Sequence, residues 1–279
     1  AGMLPGPGGL GTAGILRRAA EGRIQVLYLV GVNLLETFPD RALVEAALSR
    51  TPFVVVQDLF LTETARMADL VLPALPAQMR SGTLVGLDGR THRLEAALPA
   101  DGAGRSDGEI IAQLMRRLGG KESRDEAPAW GEVVAALAPD EARRLWAVPQ
   151  AVSVDGMVNG SIPSDEGLRV VPLVRLYAGG GTVAFDPAFG SHREVLAIWL
   201  NPADAARLGV EEGAEAELRT AHGSLRAPVR IESAIARGYV GVPVGATGGG
   251  AWQLTTWQDP YPAVAALEVL APEVVHERR

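Results

Sequence analysis

The sequence predicts an α/β protein in two parts, a partial parallel sheet with its helices followed by a small β-barrel. Three observations carry this reading. In the first part, short apolar strand runs alternate with stretches of helical spacing, which is the pattern of a parallel sheet. Beyond about residue 176 the texture changes to short strands, turn signals and one brief helix. Between them lies a polar, proline-bearing stretch, "KESRDEAPAWGE" (121–132), of linker composition.

The elements follow in order. "IQVLYLVGVN" (24–33) reads as a buried strand ending in a Gly-x-Asn loop. Asp40 is placed to N-cap the helix "RALVEAALSR", in which Leu43, Ala46 and Ala47 fall at helical spacing. "FVVVQD" (53–58) is a second strand, "TETARMA" a short helix and "LVLP" (70–73) a third strand. Right-handed crossovers between such strands give a Rossmann-like sheet. Three strands are few for one, so the sheet is expected to be incomplete, with its missing neighbours upstream. "RSGTLVGLDGR" reads as a polar, glycine-spaced loop, and "DGEIIAQLMRRLGG" as a helix stopped by Gly119 and Gly120. The expected domains are therefore 1–120, a linker and irregular segment at 121–175 with one helix near "EARRLW", and the barrel at 176–279. In the barrel, "EVLAIWLN" is a strand and "NPADAARLG" a helix with Asn201 as N-cap and Pro202 at its first position. "AEAELRTAHGSLRAPVRI" reads as a hairpin around a His-Gly turn, and "GYVGVPVG" as a further strand.

Composition narrows the function. Aromatic residues make up only 5% of the chain, so the cores must be built from Ala, Leu and Val. Runs such as "VLYLV" and "FVVV" are far too short to cross a bilayer. No basic stretch followed by an apolar one opens the sequence, so a cytoplasmic protein without direct membrane insertion is expected. A net charge of −7 argues against nucleic acid as a partner. The absence of cysteine excludes disulfides, thiolate zinc sites, a thiol nucleophile and cysteine-held iron–sulfur clusters within this chain.

Few residues point to chemistry. "GPGGLG" (6–11) has the Gly-x-Gly-x-x-Gly spacing, but only five residues precede it and no strand can feed it, so it reads as a loop. His92, His192, His222 and His276 are scattered, without metal-ligand spacing or a nucleophile elbow. Asn33, Asp58 and Thr64 are different: each lies at or just beyond the carboxyl end of an expected parallel strand, where α/β sheets bind ligands. Asn33 could equally cap a turn, and Asp58 the helix that follows. "GATGGG" (245–250) offers consecutive backbone N–H groups to an anion, or is simply a loop.

Taken together, "GVN", "VVVQDLFLTETARMADLVLPA", "SGTLVGLDGRTHRL" and "RSDGEIIAQLMRRLG" occur in the order seen in the molybdopterin oxidoreductase superfamily. "LNPADAARLGVEEGAEAELRTAHGSLRAPVRI" followed by "GYVGVPVG" resembles that superfamily's C-terminal dinucleotide-binding barrel, of the double-psi type. With "VRLYAGGGTVAFDPAF" ahead of the barrel, the chain is most similar to the branch formed by the large iron–sulfur subunit of bacterial respiratory complex I, the NADH-quinone oxidoreductase. This resemblance implies a C-terminal piece of a longer polypeptide. Its partners would be the upstream part of the same subunit and other peripheral-arm subunits, on the cytoplasmic face of the inner membrane. The parent subunit would carry the iron–sulfur clusters and this segment no cofactor and no catalytic residue.

Departures from the superfamily pattern point the same way. Active enzymes tend to read Glu-x-x-Gly-Thr-x-x-Asn where this chain has Met79, Gly82, Thr83 and Gly86, and Arg-x-Gln where it has Arg90, Thr91 and His92. In the barrel the pattern Ala-Asn-x-Leu-Thr appears as Ala251, Trp252, Gln253, Leu254 and Thr255, and after Asn33 the usual Pro is Leu34. Replacing polar partners by Met, Gly and Trp removes groups that a buried pterin–guanine cofactor needs, at about 1–3 kcal/mol for each one left unmatched. The resemblance thus implies a degenerate cofactor site. Its alternative is the C-terminal half of a molybdenum or tungsten enzyme such as a formate dehydrogenase. There Asn33, Asp58, Thr64, Thr83, Arg90, Gly249 and Gln253 would bind molybdopterin guanine dinucleotide. A free-standing binding module using the barrel alone is the third possibility.

Overall fold

A computed structural model describes residues 9–85, 91–100, 102–119, 167–174, 181–192, 195–245 and 249–270. The three strand runs of the first part form β1 (Val26–Val30), β2 (Phe53–Asp58) and β3 (Leu70–Pro73), paired in parallel in that order. Side chains alternate between the faces of a strand, so Leu27 and Leu29 share one face with Val54 and Val56. Two helices cover that face, α1 (Thr12–Ala20) and α3 (Arg41–Arg50). They bring Leu16, Ala19, Val44, Ala47 and Leu48 into a single core with the strands.

Asp40 caps α3 as expected, accepting the Leu43 N–H at 3.0 Å. The buried stripe of α3 is Val44, Ala47 and Leu48, while Leu43 and Ala46 are only half-buried. The stripe sits one position further along than the sequence suggests because α3 packs against α1 as well as against the sheet. Two one-turn helices, α2 (Leu34–Thr37) and α4 (Glu63–Arg66), follow the ends of β1 and β2. Thr62 caps α4 by accepting the Ala65 N–H at 3.1 Å.

The stretch expected as a loop after β3 is instead a hairpin, β4 (Gly82–Val85) against β5 (Thr91–Leu94). Its arms are rich in Thr, Leu and Val, which suit a pleated strand, and Thr83 stands opposite Arg93. The next helix, α5 (Asp107–Arg117), begins with a capping box in which Ser106 and Glu109 satisfy each other's backbone N–H groups. It ends as expected near Gly119, whose φ of 84° suits glycine alone.

The second part is a six-stranded mixed sheet in the order β11-β8-β9-β7-β10-β6. Its first strand, β6 (Arg169–Leu173), runs parallel to β10 (Tyr239–Pro243). The sheet therefore begins upstream of residue 176, where the sequence texture changes. After the short helix α6 (Gly181–Phe185) comes β7 (Ile198–Leu200), and then α7 (Pro202–Leu208) with Asn201 as its cap, bonded to the Ala203 N–H at 2.9 Å. The expected hairpin is β8 (Glu215–Thr220) with β9 (Ser224–Ile231), and β11 (Val264–Val269) closes the order.

Ile198, Leu200, Leu218, Val229, Val240 and Leu254 are fully buried in this core. The two edges of the sheet meet through one antiparallel bridge, Arg169 with Ala263. It is flanked by Val170 N–H to Pro262 O (3.0 Å) and Val264 N–H to Leu168 O (2.8 Å). The expected barrel is thus a curled sheet joined at one point between its edge strands. The helix expected near "EARRLW" lies outside the described residues. Among the described residues no helix is long and apolar enough to cross a membrane.

Candidate functional site

The polar residues at the carboxyl ends of β1 and β2 are joined to each other. The Asn33 Oδ1 accepts from both the backbone N–H (3.2 Å) and the hydroxyl (2.7 Å) of Thr64, and its Nδ2 donates to Glu36 at 2.7 Å. The Thr64 hydroxyl, wholly buried, also accepts the Leu35 N–H at 3.1 Å. Asn33 and Thr64 thereby tie α2 to α4 and have their hydrogen-bonding capacity directed into the protein. Asp58 caps its own turn, accepting the Leu59 N–H at 2.7 Å, and leaves the helix cap to Thr62. Of the two sequence alternatives for Asp58, the helix cap is therefore corrected to a turn cap.

Glycine and tryptophan carry the junction between the two parts. Gly249 has a φ of 96° and opens the short helical turn Gly250–Gln253. A Cβ on Gly249 would lie 2.7 Å from the Arg41 Cδ, so the Arg41 side chain of α3 packs directly on this glycine. Arg41 is held there by a two-pronged pair with Glu63 (2.5 and 3.0 Å) and a bond to Glu45 (2.8 Å). The Glu63 hydrogen bond is the main reason its pKa is raised above the ordinary guanidinium value. Next to it, the Trp252 indole N–H donates to the Glu36 carbonyl at 2.7 Å, and the Thr255 hydroxyl to the Pro39 carbonyl at 3.2 Å. Thr64, Asn33, Glu36 and Trp252 so form one chain of contacts from the first sheet into the second part. Gln253 is half-buried in the same turn, and its backbone oxygen would lie 2.3 Å from a Cβ on Gly223.

Thr83 stands apart from this junction. It is exposed on β4 and lines a cleft of about 270 Å³ with Arg80, Ser81, Ser106 and Asp107. Beneath the cleft runs a polar relay missed in the sequence. The Tyr28 hydroxyl donates to the Gln57 Oε1, Gln57 Nε2 donates to Asp107 at 2.6 Å, and Arg80 pairs with the other Asp107 oxygen. Gln57 is fully buried in β2. Burial, and then the Asp107 charge, push the Tyr28 pKa up. The one available signal was a glutamine inside an otherwise apolar strand run, since a buried amide must find partners. Asp107 serves Gln57 and Arg80 together, so the relay pins sheet, hairpin and α5 and exposes no free base.

The remaining candidates fall as follows. Arg90 and Gly86 lie outside the described residues, as do the first half of "GPGGLG", the middle of "GATGGG" and His276. His222, at the β8–β9 turn, has its Nε2 2.9 Å from Asp259. Among the described residues no group of three or more His, Asp or Glu side chains could hold a metal ion.

Comparison with known proteins gives the class. Residues 9–117 match the molybdopterin oxidoreductase family and residues 181–270 the molydopterin dinucleotide binding domain. The chain belongs to the molybdopterin oxidoreductase family. It is 30% identical over 258 residues to the alpha subunit of the NADPH-Fe(3+) oxidoreductase of Geobacter sulfurreducens, covering 86% of this chain and 29% of that protein. To the G 2 subunit of the NADH-quinone oxidoreductase of Rhizobium meliloti it is 29% identical over 260 residues, 86% of this chain and 30% of the other. To the alpha subunit of F420-dependent formate dehydrogenase 2 of Methanococcus maripaludis it is 25% identical over 272 residues, 83% and 40%. The chain thus spans less than half the length of each. In fold it is similar to the acetylene hydratase of Pelobacter acetylenicus, with a TM-score of 0.63, 15% identity, and 92% of this chain covered against 46% of that one.

The family implies a pterin–guanine dinucleotide, and the junction can be asked whether it fits one. Such a group must exchange its hydration for protein donors and acceptors. Asn33, Thr64, Arg41 and Trp252 direct theirs to protein partners, and the Arg41 side chain occupies the space that a Cβ on Gly249 would need. As arranged here these residues do not fit the group.

Proposed function

We propose that this chain is an architectural C-terminal region of the large iron–sulfur subunit of a proton-pumping NADH:quinone oxidoreductase, with a vestigial pterin site. The observation that carries this is the Trp252 indole bonded to the Glu36 carbonyl. Where the superfamily pattern has a small amide, this chain has a bulky ring that fastens one part to the other. The likeness to an NADH-quinone oxidoreductase polypeptide over 86% of the chain supports the assignment. In this reading Asn33, Asp58, Thr64, Thr83, Arg90, Gly249 and Gln253 are retained for turns and packing. Electrons pass through clusters held by the upstream part of the subunit and by neighbouring peripheral-arm subunits, on the cytoplasmic face of the membrane.

A second reading is the cofactor-binding half of a molybdenum or tungsten enzyme, favoured by the likeness to a formate dehydrogenase alpha subunit over 83% of the chain. Purification of the natural polypeptide that carries this chain separates the two. The proposal expects it to travel with NADH dehydrogenase activity and iron. Formate-dependent reduction of a dye by the purified polypeptide, with no NADH activity, would overturn it.

A further inference from the structure

We infer that Phe185 is an internal plug: it fastens residues 181–192 of the second part over the carboxyl end of the first sheet and keeps planar aromatic ligands off Phe60. The first observation is the ring pair itself. The Phe60 and Phe185 rings lie 4.5 Å apart, centroid to centroid, and within 3° of parallel, a stacked geometry that aromatic rings favour when offset. Phe60 comes from the loop that leaves β2, and Phe185 is the last residue of α6.

The second observation is where the pair sits. Parallel α/β sheets bind ligands at the carboxyl ends of their strands, and Phe60 follows closely on Asp58, the last residue of β2. Its backbone is fixed there, because the Phe60 C=O accepts the N–H of Thr62, the cap of α4, at 2.9 Å. Neither ring belongs to the hydrophobic core of either part. Phe60 is half-buried and Phe185 is 38% exposed, so the stack is a closure at the surface and not a by-product of core packing.

The surroundings of the rings show what the plug covers. The neighbours of Phe60 in the chain, Leu59 and Leu61, are 39% and 53% exposed, so removing Phe185 bares an aromatic face in an already apolar loop. The polar groups at this end of the sheet are closed from within, Asn33 by Thr64 and Asp58 by the Leu59 N–H. The Phe60 ring is their apolar counterpart, and a ring from later in the same chain takes it. Behind Phe185, Asp186 secures the following turn: its carboxylate accepts the Ala188 N–H at 2.9 Å and its C=O the Phe189 N–H at 3.2 Å. A planar aromatic ligand is the class that competes, because stacking asks only for a π-face. The plug deepens the vestigial-site reading proposed above and rests on it.

The test uses the natural full-length polypeptide. With p-benzoylphenylalanine in place of Phe185, irradiation and peptide mapping should join residue 185 to the peptide of the same polypeptide that contains Phe60. Nile red, a neutral planar dye, should gain one saturable site in Phe185→Ala relative to the parent, while Phe185→Tyr should behave as the parent. Adding Phe60→Ala to Phe185→Ala should weaken that new site about threefold to tenfold. A crosslink elsewhere, or none, would overturn the plug, and this readout stands whether or not Phe185→Ala folds. So would a Phe185→Ala variant with no added dye site, or an added site whose affinity the Phe60 change leaves alone. Metal content, which tests the vestigial reading, is measured separately, so either can fail without the other.

Discussion

Gly249→Ala is the sharpest perturbation of the junction, because the structure separates its cost into two parts. At a φ of 96° an L-residue costs about 1–2 kcal/mol. The added methyl also meets Arg41 Cδ at 2.7 Å, so Arg41 must leave its bonds to Glu63 and Glu45. Those carboxylates are 41% and 46% exposed, so their loss is discounted to about 1–2 kcal/mol in all. The sum is about 3 kcal/mol. In an Arg41→Ala background only the backbone part remains, which leaves a coupling of about 1–2 kcal/mol between the sites. The assay is urea unfolding at low protein concentration, followed by tryptophan fluorescence, for the parent, the two single variants and the double variant. With a slope of about 3 kcal/mol/M, the Gly249→Ala midpoint falls by about 1 M. Additivity within about 0.5 kcal/mol would mean that Arg41 does not rest on Gly249, and the junction as described would be refuted.

Three further outcomes are expected. Trp252→Phe keeps most of the ring but loses the bond to Glu36, at about 1 kcal/mol, and Trp252→Ala costs about 3 kcal/mol. Thermal melts should fall by about 3 °C and about 9 °C, and an alanine variant melting with the parent would contradict the packing. The Glu109 carboxyl is held below its ordinary pKa chiefly by the Ser106 backbone N–H and then by the Ser106 hydroxyl. Its stabilisation is therefore full above the unfolded value of about 4.3 and is lost as pH falls through the folded one. Glu109→Gln should flatten stability below about pH 5, as read from urea midpoints at several pH values; parallel pH profiles for variant and parent would reject the capping box as the cause. Finally, residues 1–279 alone should self-associate through the β1 edge, which pairs with no further strand among the described residues, and Val30→Lys should restore a monomer in sedimentation. Unchanged association would place the sticky surface elsewhere.

The parts of this fold that were legible in the sequence are those set by local chemistry. β2, β3, the Asp40 and Asn201 caps and the His222-Gly223 hairpin turn all follow from strand propensity, capping oxygens and turn residues, which act over a few positions. The hairpin β4–β5 was hidden because its glycines resemble loop signals and its pairing depends on a partner strand rather than on local preference. The Val44–Ala47–Leu48 stripe was misplaced by one position for a similar reason: α1, which determines it, carries no strong cap. Asn33 and Thr64 could be singled out from strand ends, but not their bond to each other, which spans 31 positions. Trp252 stood out as a departure from a pattern. That it bonds to Glu36, 216 positions away, is information that only the three-dimensional arrangement holds.

The central claim is that the site has exchanged a cofactor for protein–protein contacts. Elemental analysis of the purified natural polypeptide, for molybdenum, tungsten and iron per chain, tests it most directly. The account predicts iron in cluster amounts and no stoichiometric molybdenum or tungsten, with no guanine nucleotide released on denaturation. One molybdenum or tungsten per chain, released together with a pterin guanine dinucleotide, would contradict it.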